Sequence, residues 1–291
     1  MSQPTFHPYA GPLTGAWARA LVIPRYAYAE LLRSKLTLAM LVGGCVVPAV
    51  ALATVYARHN ATVLAVFGGD IARELQLDSD FFVGYLFLQA WVAFFLALWI
   101  GPPLIARDVR DNALPLYLAR PLSRAAYVGG KLLVLLGPLS LVTWGFGLVI
   151  LGAQTAFDGV GWLREHAGEA LALVVGSWAL ILPLALGVLA VSAVLRRTWA
   201  ARGVIFGGVI VLRGVAAVIN ELFGTGWGEI VAPTSVAYAI WADLMGHAAW
   251  FGVIDARPGI PAWAAWSAVA LWTGLSVVVL ARKVRAYEAV R

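Results

Sequence analysis

The sequence predicts an all-α membrane protein of six transmembrane helices, and three observations carry that expectation. The chain has 291 residues, 62% hydrophobic and 12% charged, far from the roughly half apolar and quarter charged residues of soluble domains. Six stretches are long and apolar enough to cross a bilayer, which takes about 20 residues because lipid offers no partner to an unpaired backbone amide. Lys and Arg gather on alternate sides of those stretches, as expected of loops retained on one side during insertion.

The spans are read at 36–56, 81–105, 132–152, 171–195, 203–219 and 262–281, in a single transmembrane domain over 1–291. One set of flanks holds Arg19, Arg25, Arg33 and Lys35, then Arg107, Arg110, Arg120, Arg124 and Lys131, then Arg196, Arg197 and Arg202, then Arg282, Lys283, Arg285 and Arg291. The opposite set holds Arg58, Arg73, Arg164 and Arg257 with most of the acids. Both termini are therefore expected in the cytoplasm, with the chain multi-pass in the cell's inner (cytoplasmic) membrane. The formal charge of +6 follows from this topology and needs no nucleic-acid partner. Thirteen Trp and thirty Gly fit the same class, since indoles settle at the lipid boundary and small residues let helices approach. Residues 1–35 lack a signal peptide's apolar core and cleavage site and are expected to be retained. The lone Cys45 excludes an internal disulfide.

Ahead of the first span, Arg25–Lys35 follows Pro24, a good first helical residue, and reads as a short interfacial helix. Pro48, Pro138 and Pro183 fall inside spans, where each removes a backbone donor and can kink its helix. Asp108–Lys131 is the longest inner connection. Residues 220–261, with Trp227, Trp241 and Trp250, are too apolar for a solvated loop and too broken by Gly and Pro for a span. That segment reads as re-entrant or interfacial helices packed over the outer mouth.

The inner connection carries the most specific pattern. Arg107, Asp108, Arg110, Asp111 and Asn112 precede the apolar Leu114, Leu116, Tyr117 and Leu118, followed by Arg120-Pro121-Leu122-Ser123-Arg124 and then Gly130-Lys131. Apolar anchors inside a charged rim are how partner surfaces are usually built; an ordinary positive-inside loop touching lipid headgroups is the alternative. The pattern resembles the loop of type-2 ABC exporter permeases, in which an acidic and polar cluster leads to a short coupling helix, a Pro-Ser-Arg-like turn and a Gly-Lys opening the third span. Asp111-Asn112-Ala113 stands where that family often has Glu followed by Gly-Thr, and Pro115 interrupts the apolar stretch. The start of the chain, and Ala232-Pro233 followed by Tyr238, are similar to that family's N-terminal helix and external segment.

The resemblance implies a permease subunit of an ATP-driven exporter that pairs with a second permease, identical or homologous, and with two copies of an ABC ATP-binding subunit. ATP and Mg would be bound by those subunits, and this chain would carry no cofactor of its own. Arg110, Asp111, Asn112, Leu114, Leu116, Tyr117, Arg120, Pro121, Ser123 and Arg124 are the expected ATPase-coupling residues. A non-transporting membrane scaffold that recruits a partner through 108–131 is the alternative.

No catalytic or metal site is read from the chain. A P-loop would need Gly where Ala125 stands and Ser or Thr where Leu132 stands. His7, His59, His166 and His247 are scattered outside the spans, which contain no Asp or Glu. Arg213 is the one Lys or Arg inside a span, and a mid-span charge costs about 2.5–3.5 kcal/mol on insertion scales. With Asn220 and Glu221 it is a candidate for the translocation path; the alternative is a structural contact, pairing with Glu221 or Gln89 or reaching an interface. Gly203 and Gly207 form a small-xxx-small pair that permits close helix contact, a candidate dimer face.

Overall fold

The computed structural model describes residues 16–60, 62–63, 78–113, 123–246 and 259–286. All regular structure among them is helical. Six helical segments are long and apolar enough to cross a membrane: Lys35–Arg58, Ser79–Arg110, Arg124–Asp158, Ala167–Val194, Thr198–Phe223 and Ala262–Lys283. The end that gathers Lys35, Arg110, Arg124 and Arg197 is called the basic end below, and the opposite one the acidic end.

Helix α1 (Ala16–Leu31) begins well before the expected Arg25 and carries Pro24 in its interior. The expectation put Pro24 at the first turn, but a helix can continue through proline where one lost amide bond is offset by packing, and Pro24 is buried. Ser34 accepts from the Thr37 amide at 3.3 Å and opens α2 (Lys35–Gly44), so the expected Arg25–Lys35 helix is divided at this cap. The first span then breaks at Cys45 and resumes as α3 (Val46–Arg58), with Pro48 in its first turn, where a missing amide does least harm.

The second span, α4 (Ser79–Arg110), is capped by Asp78, whose carboxylate accepts from the Phe81 amide at 2.9 Å. It absorbs Pro102 and Pro103 and runs past the expected Ile105, ending with Arg107 and Arg110 in its last turn, where cations meet the negative pole of the helix. The third span starts at Arg124, earlier than the expected Leu132, because Ser123 accepts from the Ala126 amide at 3.1 Å. It comprises α5 (Arg124–Ser140), a wide π-helical turn at Leu141–Gly145 just after Pro138, and α6 (Phe146–Asp158). Tyr85 donates its hydroxyl to the Thr143 carbonyl at 2.5 Å, supplying a partner where the i→i−4 ladder is interrupted.

A short α7 (Val160–Glu165) leads into the fourth span, α8 (Ala167–Val194), which passes through Pro183 unbroken. The fifth span, α9 (Thr198–Phe223), ends on Gly224 in the left-handed conformation at φ 59°. After a 3₁₀ turn at Trp227–Val231 and α10 (Pro233–Leu244), the last span is α11 (Ala262–Ala286). These helices exceed the expected spans at most ends, and so place Asp80, Asp108, Asp158, Glu169 and Glu221 on them, each near a terminus.

The fourth span is the centre of the bundle. Gly101 of α4 faces Val188 of α8 so closely that a Cβ there would sit 2.2 Å from Val188 Cγ1. Leu96, Ile100, Leu135, Leu139, Ile181 and Leu189 fill the core of the basic half, and Phe82, Tyr85, Ile150, Leu173 and Trp241 that of the acidic half. The periphery is different. Ala201 and Ala216 are the buried residues of α9, while Ile210, Val211, Val218 and Leu222 on it are exposed.

Candidate functional site

The inner connection is built from two helix ends that the sequence closes with polar residues. Asp111 ends α4, and Asn112 follows with φ 51°, a left-handed conformation that Asn tolerates better than most residues. Arg110 grips Asp111 through two bonds, Nε to Oδ1 at 2.8 Å and Nη2 to Oδ2 at 3.1 Å. That guanidinium holds the Asp111 carboxyl below the usual carboxylate range. Both side chains are exposed, so the pair shapes the turn more than it stabilises the fold. Leu114, Leu116, Tyr117, Arg120 and Pro121 lie outside the described residues. Ser123 is the cap of α5, and Arg124 its first residue.

At the root of this connection the structure brings together three residues that are separate in sequence. Lys131 Nζ lies 2.8 Å from Asp108 Oδ2, with side-chain exposures of 9% and 14%. Tyr127, fully buried, donates its hydroxyl to the same oxygen at 2.7 Å, and the Lys131 ammonium stands 5.5 Å from the centre of its ring. Desolvated charges persist only when paired and hydrogen-bonded, so this triad fastens the end of α4 to the first turns of α5. Asp108 and Lys131 were visible as members of a motif. Their pairing was not, because no helical spacing relates residues on two helices; Tyr127 carried no signal beyond its aromatic character.

The N-terminal helix braces the same region. Tyr28 donates its hydroxyl to the Leu133 carbonyl, and burial pushes its phenol above the ordinary value. Glu30 reaches Arg107 at 3.7 Å. Next to it, Arg202 of α9 donates to the Trp99 carbonyl at 3.1 Å and lies over the Trp99 ring at 4.0 Å.

The candidate path residues do not form one cluster. Arg213 donates through Nη1 to Ser235 Oγ of α10, and pairs with neither Glu221 nor Gln89, the two partners considered for it. Gln89 is wholly buried and donates to the Gly44 carbonyl at 2.8 Å, where it fills the break in the first span. Asn220 Oδ1 accepts from the Gly228 amide at 2.7 Å, pinning the 3₁₀ turn to α9, and Glu221 is exposed. A Cβ at Gly203 or at Gly207 would meet nothing within 4 Å among the described residues, so none of them covers α9 at these two positions. No protein-family model matches the chain, and no curated protein matches it.

Beyond Arg213 a half-open cavity of about 350 Å³ lies between α4, α8, α9, α10 and α11. Trp241 of α10 lines it toward the acidic end, its indole donating to the Gly176 carbonyl at 3.0 Å. Nothing in the sequence marked this space, because its walls are the same Phe, Leu, Val and Trp residues that fill a core. Among the described residues no group of three or more His, Cys, Asp or Glu is placed to hold a metal ion.

Proposed function

We propose that this chain is the membrane-spanning permease subunit of an ATP-driven ABC exporter, supplying the path through the bilayer and coupling to a separate ATPase subunit through residues 108–124. The observation that carries the reading is the Asp108–Lys131–Tyr127 triad. A loop that only joined two spans would gain nothing from a desolvated ion pair at its root, since such a pair adds little net stability. A surface that is pushed and pulled does gain, because a rigid root turns a displacement of the loop into a displacement of both spans. Coupling of this kind needs an element with two arrangements that both sites touch.

The remaining parts fit the same reading. Arg110, Asp111, Ser123 and Arg124 bound the docking surface, and Leu114, Leu116, Tyr117, Arg120 and Pro121 complete it as a coupling helix. The 3₁₀ turn and α10 are read as a re-entrant hairpin, supported by the bonds of Gly228 to Asn220, of Ser235 to Arg213 deeper along α9 and of Trp241 to Gly176, with Met245 in the core of the acidic half. Gly203 and Gly207 lie on the face offered to a second permease.

The test is copurification. The tagged chain is expected to bring down a P-loop ATPase from native membranes, and Arg120→Glu with Arg124→Glu is expected to abolish that association while the chain stays membrane-inserted. Retention of the ATPase by the double variant, or labelling of residues 114–124 from the external side of intact cells, would overturn the reading. Recovery of a non-ATPase partner through the same residues would favour the scaffold.

A further inference from the structure

We propose that the cavity between α4, α8, α9, α10 and α11 holds an alkyl chain of an anionic phospholipid whose phosphate is received by Arg213. The inference rests on the reading of the chain as a membrane permease and names the class of amphiphile that it takes.

The walls decide the tail. Phe87, Trp91, Pro183, Gly187, Trp272 and Ser276 are typical of the lining, which among the described residues carries no charged side chain and has the hydroxyls of Thr234 and Ser276. At about 350 Å³ the space falls in the range of roughly 300–1,000 Å³ of small-molecule sites. Apolar cavities stay dry because a water molecule needs two to four polar partners. Within a bilayer, the apolar matter at hand to fill such a space is an alkyl chain.

The head group is decided by one cation. Arg213 follows Leu212, which lines the cavity, and its Nη1 is bonded to Ser235, whose neighbours Thr234 and Val236 also line it. It therefore stands at the rim. Helix α9 is 26 residues long, about 39 Å at the α-helical rise, and Arg213 lies ten residues, about 15 Å, short of its acidic end. Arg213 is exposed, and among the described residues no carboxylate pairs with it. A guanidinium at that depth normally faces a partner or a wet cavity. Its planar fork of donors matches a phosphate, which can take two parallel bonds while Ser235 takes another.

The experiment uses the full chain in nanodiscs doped with phosphatidylglycerol or with phosphatidylcholine, each bearing a photoreactive acyl chain, followed by peptide mapping of the crosslinks. Phosphatidylglycerol is expected to label the α8 and α11 walls around Gly187 and Trp272 about tenfold more than phosphatidylcholine, the scale of one charge-assisted contact. Arg213→Gln should erase that preference, lowering phosphatidylglycerol labelling far more than phosphatidylcholine labelling, because choline already offsets the charge of its own phosphate. Gly187→Phe should remove the wall labelling, since a Cβ at Gly187 meets nothing nearer than Ser276 Oγ at 3.9 Å and the ring enters the cavity; Gly187→Ala should keep it.

Labelling confined to the outer face of α9, equal labelling by the two lipids in the unmodified chain, or a disulfide between two copies of Trp272→Cys, which would mean that a second copy fills the space, would each overturn the proposal. The unmodified chain's lipid ratio decides even if a variant fails to fold. The assay contains neither ATPase nor nucleotide, so its failure leaves the copurification result standing, and loss of copurification leaves the lipid result standing.

Discussion

Asp108 and Lys131 show how much of a site one sequence exposes. Both fell inside the stretch singled out for its motif, yet their chemistry depends on a contact between two helices that no spacing rule reports. Removing one member of a buried pair leaves an uncompensated charge, which costs about 3–5 kcal/mol, whereas replacing both with neutral groups is far milder. Lys131→Met is therefore expected to lower the thermal unfolding temperature in detergent more than Lys131→Met combined with Asp108→Asn; equal losses would show that the pair does not act as a unit. His59 offers a second case at the acidic end. Its Nδ1 faces the Val55 carbonyl at 2.8 Å, its Nε2 faces Asp158 Oδ1 at 2.7 Å, and its ring stacks on Phe157. Two acceptors call for two hydrogens, so the cationic ring is favoured: the Val55 carbonyl and then Asp158 hold its pKa above 6.5, against desolvation and Arg58. The folded state binds this proton more tightly than the unfolded chain, so the clip's contribution is complete below about pH 6.5 and fades as pH rises through the folded value. Melting temperatures of the unmodified chain and His59→Gln should accordingly differ most at acidic pH and converge above neutrality. The scattered histidines gave no hint of this, because Asp158 lies on another span.

At the scale of elements, the spans themselves were legible and their ends were not. The apolar windows stopped where charges began, but a helix outlasts the hydrocarbon it crosses. Asp78 and Ser123 start α4 and α5 among polar residues, and Arg107 and Arg110 finish α4. A capping reading of Asp78 and Ser123 would have recovered those starts. The breaks at Cys45 and at Leu141–Gly145 were less accessible, since Pro48 and Pro138 foretold a disturbance without its form, while the helix around Pro183 continues without a break. Helix α10 was expected only as part of an apolar external segment, and its seat on α8 is set by size. A Cβ on Gly176 would lie 2.8 Å from Trp241 Cδ1, whereas one on Gly168 of the same helix meets nothing within 4 Å. Gly176→Val should therefore destabilise the protein by about 1–3 kcal/mol through overpacking, and Gly168→Val should not; comparable thermal losses would remove the close approach as the cause.

For the whole molecule, charge and hydropathy were sufficient to anticipate a six-span helical bundle, because lipid leaves so few ways to satisfy a backbone. What they could not supply is which faces meet. Span four is central and span five peripheral, yet both read as apolar stretches; only the small residues Gly101, Gly147 and Gly176, pressed against Val188, Leu173 and Trp241, distinguish close contacts from lipid-facing surface once partners are known. The same holds for the cavity, which is a gap among core-like side chains. The wide turn at Leu141–Gly145 also has a consequence for how the halves of the third span are phased. Such a turn holds one residue more than plain α geometry. Tightened with all its residues kept, it would swivel everything beyond Phe146 by about 100°, carrying Gln154 and Asp158 off the side that greets His59. Losing a single residue within 141–145 would leave both halves in step, whereas the same loss elsewhere in the span would throw its outer half out of phase.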